Sequence, residues 1–325
     1  MSKLLSLLLV LSLSLTSVTA QERSNETIRD YFIYKEDLTH WMNYLSSDEL
    51  EGRQTGTNGI AKAAEFIETE FAKHGIAPLF ETYKDSFEVN GLNAYNIVGI
   101  IEGSDPKLAK EAIIIGAHYD HIGIAEQGVG EDYIYNGASD NASGTATVLA
   151  LAKSFAKFRN NKRTLIFALF SAEEMGLKGS IHLAQKLREN AQFDYYTMLN
   201  FEMVSRPMSN KEPNKVHLTG IETSTMTMHI NEYLREEFIV EQPELREMRL
   251  FMRSDNYPFY RYLNIPAQTF TTFDRKSMEY YHQVNDDIEL VDFDFMHSFT
   301  NRMVPIVLFV ANTPKKIITL LKVEE

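Results

Sequence analysis

Ala112-Ile-Ile-Ile-Gly-Ala-His-Tyr-Asp120 starts as an unbroken apolar run and ends in side chains able to do chemistry. A run this short and this rich in β-branched residues reads as a strand buried on both faces, Ala112 to Gly116. The pattern recurs twice: Thr164 to Phe170 leads into Ser171-Ala-Glu-Glu174, and Thr197 to Met203 carries Glu202 near its end. Helical segments separate these runs, at Ser143 to Phe158 and Leu177 to Glu189. A further segment, Asn58 to His74, puts Ile60, Ala63, Ala64, Ile67 and Phe71 on one face before Gly75 stops it. Beyond them, Lys215 to Thr219 and Ala267 to Phe273 read as strands, and Thr225 to Phe238, Asn256 to Tyr262 and Phe293 to Val310 as helices. The alternation predicts an α/β fold, a single domain with a mostly parallel central sheet and helices on both faces. Such sheets bind ligands at the carboxyl ends of their strands, where His118, Asp120, Glu173, Glu174 and Glu202 fall.

The chain opens with Lys3, an apolar and hydroxyl run from Leu4 to Val18, and Thr19-Ala20 before Gln21-Glu22-Arg23. This is the make-up of a secretory signal peptide over residues 1–20, cleaved after Ala20, with a retained N-terminal anchor as the alternative. Residues 21–325 then form the folded unit, exported to a periplasm or the outside, with no other stretch long enough to span a bilayer. Loss of Lys3 leaves 31 Lys and Arg against 45 Asp and Glu, a formal charge of −14. That balance argues against nucleic acid as a partner. The chain has no cysteine, so disulfides are excluded and any metal must rest on nitrogen and oxygen donors.

Zinc accepts histidine nitrogen and carboxylate oxygen, and a pair of zinc ions needs one carboxylate that touches both. His118 suits a ligand, because Asp120 two residues on could accept a hydrogen bond from its other ring nitrogen or orient the bridge from below. Asp140 lies among small residues, Asn136-Gly-Ala-Ser-Asp-Asn-Ala-Ser-Gly144, which let backbone approach a metal, and it is the bridging candidate. The neighbouring acids Glu173 and Glu174 point apart, so one can bind metal while the other moves protons. His121 reads as a support for its loop. Asn141-Ala-Ser143 is a formal glycosylation acceptor, incidental in a metal loop.

Seven stretches, in order, resemble the M28 metallopeptidases, zinc aminopeptidases grouped with glutamate carboxypeptidase and related to glutaminyl cyclases. They are Ser47 to Arg53, Gly116 to Gly123, Asn136 to Gly144, Ser171 to Gly176, Asn200 to Val204, Ser254 to Phe259 and Tyr281 to Asp286. The resemblance implies a zinc-exopeptidase-like sandwich that acts on peptides or proteins. It also implies two zinc ions, or a single one, with His118, Asp140 and Glu202 on one and Asp140, Glu174 and His282 on the other. Glu173 would be the general base and acid, and Tyr281 a donor to the tetrahedral intermediate. Two residues depart from the family pattern: Glu202 stands where Asp is usual, lengthening the reach to the first ion, and Asn256 stands where many members have histidine. The leading expectation is an exported aminopeptidase. A carboxypeptidase or a one-metal glutaminyl cyclase relative is the second, and a binding protein that has lost catalysis the third.

Overall fold

A computed structural model describes residues 33–208 and 213–322 of the chain. The predicted signal segment, and residues 209–212 of a loop that the sequence left without a reading, lie outside the described residues. In chain order the elements that position the site are α1 (Lys35–Leu45), α2 (Asn58–Lys73), β1 (Ala77–Pro78), β2 (Lys84–Val89), β3 (Leu92–Ile101), β4 (Glu111–His118), a hairpin of β5 (Ile124–Val129) and β6 (Asp132–Ile134), and α3 (Ser143–Phe158). There follow β7 (Thr164–Phe170), α4 (Lys178–Asn190), β8 (Asp194–Glu202), β9 (Val216–Leu218), α5 (Met226–Leu234), β10 (Ile239–Val240), α6 (Pro243–Glu247), α7 (Asn256–Leu263), β11 (Ala267–Thr271) and α8 (Phe293–Asn312).

The main sheet runs β1-β3-β7-β4-β8-β11-β9-β10, with β2 paired to β3. Its four central strands, β7, β4, β8 and β11, are parallel, and antiparallel pairings flank them at β3–β7 and β9–β11. The expected parallel sheet is therefore the centre of a mixed one. Alternate residues of the central strands, Ala112 and Ile114 of β4 and Ile166, Ala168 and Phe170 of β7, pack with Leu183 and Leu187 of α4 and Phe259 of α7. Ile113, Ile115 and Ala117 point to the other face, which α3 covers, and are equally buried. Burial on both faces is why these strands read as unbroken apolar runs, each large side chain contributing roughly 1.5–3 kcal/mol.

Parallel strands deliver their carboxyl ends to one edge of the sheet. His118 closes β4, Glu202 closes β8, and the turn after β7 carries Glu173 and Glu174. Arg53, 1 % exposed, lies beneath this edge and donates to the carbonyls of Tyr119 at 2.9 Å, Asn136 at 2.7 Å and Gly137 at 3.0 Å, and in a short bond to Leu45. One guanidinium thus joins the turn before α2, the end of β4 and the loop that carries Asp140.

Candidate metal centre

Asp140 faces two histidines through different oxygens: its Oδ1 lies 3.3 Å from His118 Nε2 and its Oδ2 lies 3.2 Å from His282 Nε2. This is the disposition a bridging carboxylate requires. Glu174 Oε1 lies 3.0 Å from His282 Nε2 and 3.2 Å from His121 Nδ1. The donor atoms of His121, Asp140, Glu174 and His282 all fall within 4.8 Å of one another. Nitrogen and oxygen donors so gathered, and mostly withdrawn from water, fit the ligand chemistry of zinc.

Backbone contacts that the sequence did not announce hold His118, Asp140 and Glu174 in place. Asp286 accepts the peptide N–H groups of Ser139 at 2.8 Å and Asp140 at 2.9 Å, so the segment that supplies His282 also clamps the Asp140 loop. Asn141 is fully buried, donating to the Phe201 carbonyl and accepting from Gly144 and Met203 N–H, which removes it from any glycan. Asp120 differs from its expected role. Its Oδ1 is 3.7 Å from His118 Nδ1, and the ring instead meets the Asp120 carbonyl at 3.2 Å. That bond makes Nδ1 the protonated nitrogen and leaves Nε2 free for a metal. The Asp120 carboxylate accepts the N–H of Glu173 at 3.1 Å and of Glu174 at 3.3 Å, with Thr55 Oγ1 donating at 3.3 Å.

Glu202 lies outside the four-residue cluster. Its Oε2 accepts a short hydrogen bond from Ser254 Oγ, which itself accepts from Asn200 and Thr269. This carboxylate thus belongs to a neighbouring hydroxyl network. Tyr281 stacks on His282, ring centroids 3.9 Å apart at 22°, and meets Phe273 edge to face, centroids 5.7 Å apart at 80°. An apolar hollow beside Glu202 and Tyr281 is walled by Met203, Met248, Leu250, Phe273 and Met278, with Arg253 among its lining residues.

Protons are distributed unevenly across these groups. Burial would raise Asp140, but hydrogen bonds from His118 and His282 outweigh it and hold the carboxyl below its usual range. Glu173 goes the other way: burial, then the charges of Asp255, Glu202 and Glu174, lift it well above the carboxylate range against the pull of His118. Glu202 is pushed up to about 7, by burial and by Asp140, and Asp255 also to about 7, by burial and by Asp120 and Glu202. His282 is raised to about 10, because Asp140 and Glu174 overcome the effect of burial.

A family model described as peptidase family M28 matches residues 96–307. The chain is 24% identical over 223 residues to leucine aminopeptidase 2 of Arthroderma otae, a match covering 67% of this chain and 41% of that protein. It thus spans about two fifths of the length of that curated relative. Among solved structures, the LapA aminopeptidase of Legionella pneumophila superposes with a TM-score of 0.69 at 18% identity, covering 91% of this chain and 76% of that one. Glutaminyl cyclase of Porphyromonas gingivalis superposes with a TM-score of 0.66 at 13% identity, covering 84% and 97%. Both structural likenesses are likenesses of fold. The family match takes in β4, the Asp140 loop, the Glu173–Glu174 turn, Glu202 and His282 alike, and the chain belongs to peptidase family M28.

Proposed function

We propose that this chain is an exported zinc-dependent aminopeptidase. The observation that carries the reading is the split of Asp140 between His118 and His282. One ion would rest on His118, Asp140 and Glu202, the other on Asp140, Glu174 and His282. Bound zinc would supply a Lewis acid for the scissile carbonyl and a water acidified towards neutrality. Glu173 carries no ligand role in this scheme and, with its raised proton affinity, suits a general base that keeps the proton and passes it to the departing amine. Tyr281 stays protonated, since burial and the charges of Asp140, Glu174 and Glu202 raise its hydroxyl further, so it donates to the developing oxyanion. The apolar hollow suits an aliphatic or aromatic N-terminal side chain. An ammonium group on the substrate would offset the crowding of Glu173 and Asp255, whose raised proton affinity comes from burial and neighbouring carboxyls. Export rests on the charged start, apolar middle and small-residue exit of residues 1–20.

A second reading, a one-metal glutaminyl cyclase relative, is favoured by the engagement of Glu202 with Ser254, which weakens the first site. Aminoacyl reporter peptides with free and with blocked N-termini, assayed beside a peptide with N-terminal glutamine, separate these readings. Hydrolysis of free N-termini alone is expected. Glu173→Gln should lower kcat by about 10²–10⁴-fold while zinc content is kept. Near wild-type turnover in that variant refutes the mechanism, and ring closure of the glutamine peptide without hydrolysis favours the cyclase.

A further inference from the structure

Building on the two-ion reading, we propose that His121 is itself a metal ligand, joining Asp140, Glu174 and His282 through Nδ1 so that this ion is held by four protein donors. Donors around a four-coordinate ion with bonds of about 2.0–2.1 Å stand about 3.3 Å apart. Here His282 Nε2 lies 3.0 Å from Glu174 Oε1 and 3.2 Å from Asp140 Oδ2, while His121 Nδ1 lies 3.2 Å and 3.9 Å from the same two oxygens. Two imidazoles converging on one pair of carboxylate oxygens surround a point between them. A ring that merely oriented Glu174 would need only one oxygen.

The ring of His121 is fixed in that direction. Its side chain is fully buried, and a Cβ on Gly137 would stand 2.6 Å from its Cγ and Cδ2, so the loop backbone presses directly on the imidazole. Nε2 is buried without a hydrogen-bond partner, which leaves Nδ1 as the nitrogen with chemistry to do. Ligation fixes the remaining proton on that orphaned Nε2. A metal–nitrogen bond outweighs this cost far more readily than one hydrogen bond does.

Four protein donors leave a tetrahedral ion no open position. This ion then anchors the Asp140 loop, the Glu174 turn and the His282 segment. Substrate is left to the side of His118 and Glu202, the groups whose charges, with Asp255, act most strongly on Glu173.

X-ray absorption of the mature protein loaded with one equivalent of zinc counts imidazoles directly. Two per ion are expected in the wild type and one in His121→Ala. Competition with a chelator should show the tight ion weakened more than about a hundredfold in His121→Ala, beyond the loss of an outer-shell contact. His121→Asn, which still donates to Glu174, should not restore it. A single imidazole in the wild type, or full affinity in His121→Asn, overturns the assignment and makes His121 a hydrogen-bond support. Wild-type protein that binds no zinc at all sinks the metallopeptidase reading instead.

Discussion

Asp120 uses its carboxylate to hold the peptide N–H groups of Glu173 and Glu174, and this fixes which way those adjacent acids point. An asparagine there offers one acceptor and turns an N–H towards an N–H. Losing one charge-assisted bond costs about 1.5–3 kcal/mol. Asp120→Asn is therefore expected to lower kcat about tenfold to a hundredfold with KM little changed and zinc retained. Steady-state kinetics beside metal analysis check it, and unchanged kcat would refute the positioning role. The residues proposed as ligands could be picked out because zinc restricts donor types and because buried strands ending in charge are unusual. The partner of the His118 ring was not, since a His-x-Asp spacing serves the carbonyl of that Asp as well as its carboxylate. His121 was read as a loop support, because its approach to Glu174 depends on how the chain folds back beside Gly137. Asp286 closes the Tyr281 to Asp286 stretch, yet its role was not legible there, as a carboxylate that binds backbone looks like any surface acid until the loop it holds is seen.

Elements meet at Arg53. Burial lowers its pKa to about 10, partly offset by Asp286, Asp140, Asp120 and Glu174, so it stays charged at neutral pH. Arg53→Met would strip donors from the carbonyls of Leu45, Tyr119, Asn136 and Gly137 at once. A loss of about 3–5 kcal/mol in urea unfolding is expected, as for breaking a buried ionic group, with only partial recovery in Arg53→Lys, whose ammonium lacks the planar fork. A loss within about 0.5 kcal/mol would mean that the guanidinium does not join these loops. The central strands and α2, α3 and α4 were readable to within a few residues, since two-sided burial and one-sided helical periodicity are strong patterns. The β2–β3 hairpin was not recognised, although Asn90-Gly91 between the strands, with φ of +51° and +78°, is the tight-turn pair that connects such strands. Lys84–Val89 hid it because the inward-facing Asp85, fully buried against Asn96, His182 and Lys186, breaks the apolar alternation that marks a strand. The helix expected through Phe238 stops at Leu234, where Arg235 takes φ +56° and the β-branched Ile239–Val240 joins the sheet edge.

At the scale of the molecule, the crowded carboxyls make stability depend on what neutralises them. Glu202 rises from 4.5 to about 7, Asp255 from 3.8 to about 7 and Asp286 from 3.8 to about 6. Raised pKa values mean that the folded chain holds more protons than the unfolded one between the two values, so this part of the stability falls as pH climbs from about 4 to about 7. His282, raised from 6.5 to about 10, adds a contribution that is complete below 6.5 and lost as pH approaches 10. Asp140 and Glu174, held low, act oppositely, but their contribution is lost only as pH falls below the ordinary carboxylate range. Metal-free protein should therefore lose stability steadily from pH 5 to pH 9. On the proposed reading zinc would take the place of these protons, and its binding would strengthen as they leave. The rise in Tm on adding a fixed excess of zinc should accordingly be larger at pH 8 than at pH 6, measured by calorimetry on the same preparation. An equal or smaller rise at pH 8 would mean that the ion and the protons do not compete for one cluster, and that the acids around Asp140 serve something other than metal.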